Sequence, residues 1–177
     1  MKKLAILIVM ALEIAVCGCG ASKNTSTEVN TSTSGNWEAQ LTGGTAQASL
    51  LNFTINFSVT NSGPLDITNL SFFNQGACFG TTINDTKETG TANFSTASNG
   101  TVNGTLDLTV NSTSSSNSLA LTGTLTGNSS ATAGTAGTLS NGVVVGTWTL
   151  SGGAGDPSCT GSGTFLMCQG NNTCTAP

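Results

Sequence analysis

The sequence has 177 residues and contains no histidine, no tyrosine and no arginine. The missing histidine removes the imidazole base on which most acid–base and nucleophilic constellations are built. The missing arginine removes the guanidinium clamp for phosphate and carboxylate groups. All four cations are lysines (Lys2, Lys3, Lys23 and Lys87). So few cannot neutralise a run of phosphates, which argues against a nucleic-acid partner. Charged residues are only 7% of the chain and aromatics 5%, yet 37% is apolar. Disordered chains show the reverse balance, poor in apolar residues and rich in charge. Glu, Lys and Gln, the strong helix formers, are scarce, and threonine is abundant, so the folded part is expected to be all-β.

The strand pattern is explicit. Leu51, Phe53, Ile55, Phe57 and Val59 alternate with Asn52, Thr54, Asn56, Ser58 and Thr60, the signature of a strand with one buried face. Val102, Leu106, Leu108 and Val110 repeat it with Gly104 on the same face. So do Leu119, Leu121 and Leu125 with Gly123, and Val144, Trp148 and Leu150 with Gly146. Phe165 and Met167 follow, with Gly161 and Gly163 in phase. A glycine on the inward face lets a sheet coil tightly or leaves room beside a large ring. Asn99-Gly100 and Asn141-Gly142 lie between strand-like runs and predict hairpin turns. Sequential hairpins favour an antiparallel meander of about eight to ten strands. A barrel is preferred to a two-sheet sandwich. An outer-membrane barrel would want aromatic girdles and an apolar outside. Here Thr, Ser and Asn hold the alternate positions, so the outer wall faces water.

The amino terminus reads differently. Met1-Lys2-Lys3 precedes the apolar run Leu4 to Leu12, which has the length of a signal segment and is too short to span a bilayer. Val16-Cys17-Gly18-Cys19 resembles the lipobox of bacterial lipoproteins: an aliphatic residue three positions before a cysteine and a small one just before it. The resemblance covers only the amino-terminal twenty residues or so. It implies diacylglycerol on the Cys19 sulfur, cleavage before Cys19 and acylation of the new amino group. Residues 1–18 are then a signal peptide, 19–34 a lipidated cysteine with a polar Ser/Thr-rich tether, and 35–177 a single β domain. Two or more acyl chains give durable anchoring where one does not. Gly20, standing where an Asp would retain the protein, implies passage to the outer membrane. The expected location is therefore the cell envelope, with the membrane as partner through the lipid. Cleavage removes Lys2, Lys3 and Glu13, leaving seven acids against two lysines, a net charge of −5. Gly35-Asn36-Trp37 also resembles the Gly-x-Trp opening of lipocalin-type barrels, over those three residues alone.

With Cys19 lipidated, four cysteines remain, Cys78, Cys159, Cys168 and Cys174, an even set in an oxidising compartment. Three pairings are open. Cys159 shares the inward parity of Phe165 and Met167, while Cys168 has the opposite parity and lies close to Cys174. Cys78–Cys159 and Cys168–Cys174 are the favoured pairs. Neither histidine nor a closely spaced cysteine pair supports a zinc site, and no metal or other cofactor is expected. The mature acids, Glu28, Glu38, Asp66, Asp85, Glu88, Asp107 and Asp156, form no spacing that brings two carboxylates to one cleft. No catalytic residue is assigned. Two functions remain: a structural or interaction lipoprotein that contacts other envelope components, or a barrel that binds a small apolar ligand. In the second case Phe53, Phe57, Trp148 and Phe165 line the cavity.

The anchor is tested by intact mass spectrometry of the protein extracted in detergent. The expected species begins at Cys19 and carries acyl chains, and Cys19→Ser leaves the membrane fraction. An unmodified chain that begins at Ser22 overturns the assignment.

Overall fold

The computed structural model describes residues 30–44, 51–74, 78–80, 85–132, 134–152, 158–170 and 174. The signal segment, Cys19 and the tether as far as residue 29 lie outside the described residues, as do Glu28 and Asp156. Nine strands follow in chain order: β1 (Thr31–Thr42), β2 (Phe53–Thr60), β3 (Ser62–Pro64), β4 (Asp66–Phe72), β5 (Thr86–Thr96), β6 (Thr101–Ser112), β7 (Ser118–Ser129), β8 (Gly137–Ser151) and β9 (Gly161–Gln169). They form one sheet in the order β3-β5-β6-β7-β8-β9-β1-β2-β4.

The two outermost strands in that order, β3 and β4, are separated in the chain by Leu65 alone. A sheet whose ends are one residue apart has to be rolled up, so the fold nearly closes into a barrel. Residues 62–72 act as one broken stave: Ser62, Gly63 and Pro64 pair with Asn93, Ala92 and Thr91, and Asp66 to Phe72 pair with β2. Leu65 marks the break and donates its N–H to Gly90 O at 2.9 Å. Neighbours are antiparallel throughout, apart from a two-residue parallel pairing of Thr31 and Ser32 with Gly137 and Thr138.

Alternation along each strand sorts side chains between the wet outside and the core. Phe53, Ile55, Phe57 and Val59 are buried on β2, as are Leu119, Leu121 and Leu125 on β7. The inward glycines fit large neighbours. A Cβ on Gly123 would lie 2.9 Å from Phe165 Cζ, one on Gly146 2.8 Å from Phe165 Cε1, and one on Gly163 2.8 Å from Trp148 Nε1. Ring and glycine therefore share the volume that two ordinary side chains would overfill.

Two sequence expectations need correction. Asn99-Gly100 does turn β5 into β6, with Gly100 at φ +83° and the N–H of Gly100 donated to Ala97 O at 2.9 Å. Asn141-Gly142 does not make a hairpin. It is a bulge inside the long strand β8, with Asn141 at φ +52°, where Thr126 faces Val143 and Asn128 faces Ser140. The extra residue switches the inward parity, so Gly137 and Leu139 face the core before it and Gly142, Val144 and Trp148 after it. The dipeptide supplies the same left-handed backbone in either setting, and pairing of both flanks with β7 selects the bulge. The domain also starts earlier than composition suggests: β1 opens at Thr31, within the polar stretch assigned to the tether. Thr31 and Thr33 point inward despite their polarity.

Cys78 is bonded to Cys159 across 81 residues, and Cys168 to Cys174 across six. The first bond ties the segment after β4 to the β8–β9 connection, and the Asn117 side chain donates to Cys78 O at 2.8 Å beside it. The second holds Cys174 on the outer wall, where its sulfur lies 3.6 Å from Glu38 O. Loop-closure entropy makes the long-range bond worth about 4–5 kcal/mol and the short one about 2. Replacing Cys78 and Cys159 together with alanine should lower the urea midpoint by clearly more than replacing Cys168 and Cys174. Equal losses would contradict this ranking.

Candidate functional site

The barrel interior is the one place where the predicted ligand-lining residues meet. Phe53, Phe57, Trp148 and Phe165 come from β2, β8 and β9, and each is at most 2% exposed. Strand parity brings them together, because each occupies an inward position of its strand. Leu51, Ile55, Leu106 and Leu108 pack in the same core cluster. Among the described residues no charged side chain is buried.

Trp37 belongs to this wall as well. It lies on β1 opposite Ile55, while Gly35 lies opposite Phe57. The indole nevertheless stacks on Phe57, with ring centroids 5.3 Å apart and planes 16° from parallel. It therefore leans along β1 toward Gly35. Its far edge reaches β8, where a Cβ on Gly142 would collide with Trp37 Cη2. Gly142 thus serves the bulge and makes room for the ring.

The same stretch of β1 is where the wall changes neighbours. Thr31 and Ser32 pair with β8, whereas Trp37 to Thr42 pair with β9. In the fork between them the Gln169 side chain stands in for a strand. Its amide donates to Leu139 O at 3.1 Å and accepts from Gly142 N at 3.2 Å. Gly170 N donates to Asn36 O at 2.7 Å. Gly35, at φ +111°, sits in this fork, and a Cβ built on it would meet nothing within 4 Å.

Polar groups on the inner face of β1 fall into two kinds. Thr31 Oγ1 lies 2.7 Å from Thr96 Oγ1 and 2.6 Å from Ser129 Oγ, and the Thr31 N–H donates to Asn61 Oδ1 at 2.7 Å. These bonds tie β1 to the ends of β5 and β7 and finish one mouth of the barrel with hydroxyls. Thr33 Oγ1 and Trp37 Nε1 are buried and have no hydrogen-bond partner among the described residues. The contrast within one residue type is direct, because Trp148 Nε1 donates to Thr42 O at 3.1 Å. A buried indole N–H normally finds an acceptor.

No protein-family model, curated protein or solved structure matches this chain. The reading of the site therefore rests on its own geometry.

Sequence reasoning located the four ring positions by parity but left Thr33 in the tether. The signal was present: counting back by twos from Trp37 gives Gly35, Thr33 and Thr31, an inward face that is polar. Composition hid it. The acids Glu38, Asp66, Glu88 and Asp107 lie on strands, apart from the core. Glu88 Oε1 accepts from Thr86 Oγ1 at 2.6 Å, and Glu38 Oε1 accepts from the Gln40 amide at 3.1 Å. No group of three or more Cys, Asp or Glu among the described residues could hold a metal ion.

Removing a buried hydroxyl that lacks a partner relieves a desolvation cost on the order of 1 kcal/mol. Thr33→Val keeps the shape and should raise the ligand-free protein's stability by about that amount in urea denaturation. A loss of stability would show that the hydroxyl is hydrogen-bonded.

Proposed function

We infer that this chain is a lipid-anchored protein of the cell envelope whose barrel is a non-catalytic binding module for a small, largely apolar ligand. The observation that carries the reading is the enclosed aromatic interior. Trp37, Phe57, Phe53, Trp148 and Phe165 are buried inside one nearly closed wall, with two unpaired polar atoms among the inward groups. Ligand cavities are typically of this kind, mostly apolar with a few polar groups that fix orientation. The lack of histidine, tyrosine and arginine supports a role without catalysis.

The lipobox resemblance supplies the location. Cys19 lies 12 positions before Thr31, where β1 begins. The amino-terminal segment thus joins the barrel at the mouth finished by Thr31, Thr96 and Ser129, and the Cys78–Cys159 bond lies at the other end. An apolar ligand carried by the membrane would meet the barrel at the tethered end.

A second reading, a structural or interaction module, is favoured by the close fit of Phe165 against Gly123 and Gly146, which leaves that part of the interior filled. Native mass spectrometry of the detergent-extracted protein separates the two. The binding module is expected to retain a non-covalent apolar species, lost on denaturation, and a brominated apolar probe should quench the emission of Trp37 and Trp148. A bare barrel with unquenched tryptophans would leave the structural reading.

A further inference from the structure

We propose that Thr33 and Trp37, on either side of Gly35, form the polar end of the binding site and select a neutral ligand that carries a hydroxyl or carbonyl oxygen. The inference rests on the reading of the barrel as a binding module and adds the chemistry of what it takes.

Three observations converge on this stretch of β1. Thr33 Oγ1 and Trp37 Nε1 are the two buried side-chain polar atoms without a partner among the described residues, and both residues are 1% exposed. They occupy the same face of one strand, two positions either side of Gly35, and the stack on Phe57 tips the indole toward that glycine. Gly35 between them is half-buried at φ +111°, and a Cβ built there would meet nothing within 4 Å, so no neighbouring atom packs against this point of the strand.

The donor set defines the ligand. An indole N–H only donates, so the ligand has to bring an acceptor oxygen. A threonine hydroxyl donates or accepts, and so completes the bonding of either a carbonyl or a hydroxyl. No charged side chain is buried among the described residues. A carboxylate or an ammonium group would lose its hydration there with no counter-charge in return. The phenyl ring of Phe57 and the apolar side chains beyond it suit a hydrocarbon body. The class is thus an uncharged alcohol, ketone or ester with an apolar chain. Fatty carboxylates are disfavoured.

Calorimetric titration of the lipidated protein with octan-1-ol, octanoate and octane, in one detergent throughout, tests the proposal. Octan-1-ol is expected to bind at least ten-fold more tightly than the other two. Thr33→Val should lower its affinity several-fold, since Trp37 Nε1 still bonds the hydroxyl oxygen, and leave octane binding unchanged. In 15N-labelled protein, octan-1-ol should shift the indole N–H resonance of Trp37 and leave that of Trp148, which is bonded to Thr42 O, in place. Trp37→Phe offers a second test of the same selectivity and, if it fails to fold, Thr33→Val still decides. Equal binding of the three probes, or an unmoved Trp37 resonance with octan-1-ol bound, overturns the polar subsite while the apolar binding module stands. Failure of all three probes to bind overturns both.

Discussion

The structure depends on closure through a broken strand. Residues 62–72 give their first half to β5 and their second half to β2, with Leu65 at the break. An open sheet of this length would expose two rows of unpaired backbone groups, a template for association with other chains. Sharing one segment between both ends removes most of that edge. It also fixes the curvature, and a wall so curved has a narrow interior. The glycines follow from this constraint. On a flat sheet Gly123, Gly146 and Gly163 would be weak points, whereas inside this wall they are the spaces into which Phe165 and Trp148 fit.

Curvature also explains the fork. β1 keeps β2 on one side from Ser32 to Ala39, and on the other side it passes from β8 to β9 near Gly35. The bulge at Asn141-Gly142 bends β8 away from it, and the Gln169 amide bridges the gap with two hydrogen bonds. Trp37 covers the gap from within. Thr33 therefore lies where pairing on that side of β1 is interrupted, and Trp37 where it resumes opposite Gln169.

Chemically the interior is quiet. It offers rings, aliphatic chains, an indole N–H and a hydroxyl, the groups on which the proposed binding role rests. The Thr-rich outer wall stays hydrated, with cross-strand contacts such as Thr42 Oγ1 to Thr164 Oγ1 at 2.9 Å. Partition between a wet outside and an aromatic inside is set strand by strand, through the period of two.

That period is what the sequence by itself determined. Leu51 to Val59, Val102 to Val110 and Leu119 to Leu125 declare which side chains face inward, because alternation is a local property of an extended chain. The parity of Cys159 and the short span from Cys168 to Cys174 likewise point to the pairs that form. Tertiary structure decided matters that local preference leaves degenerate. Asn99-Gly100 and Asn141-Gly142 carry the same left-handed tendency, and only the partner of each flank makes one a hairpin and the other a bulge. Thr31 and Thr33 read as solvated linker because they are polar. They become wall because Thr96, Ser129 and the β2 backbone are brought to them from far along the chain. The pairing of ring with glycine is long-range in the same way: what a glycine leaves room for depends on which strand the barrel rolls against it.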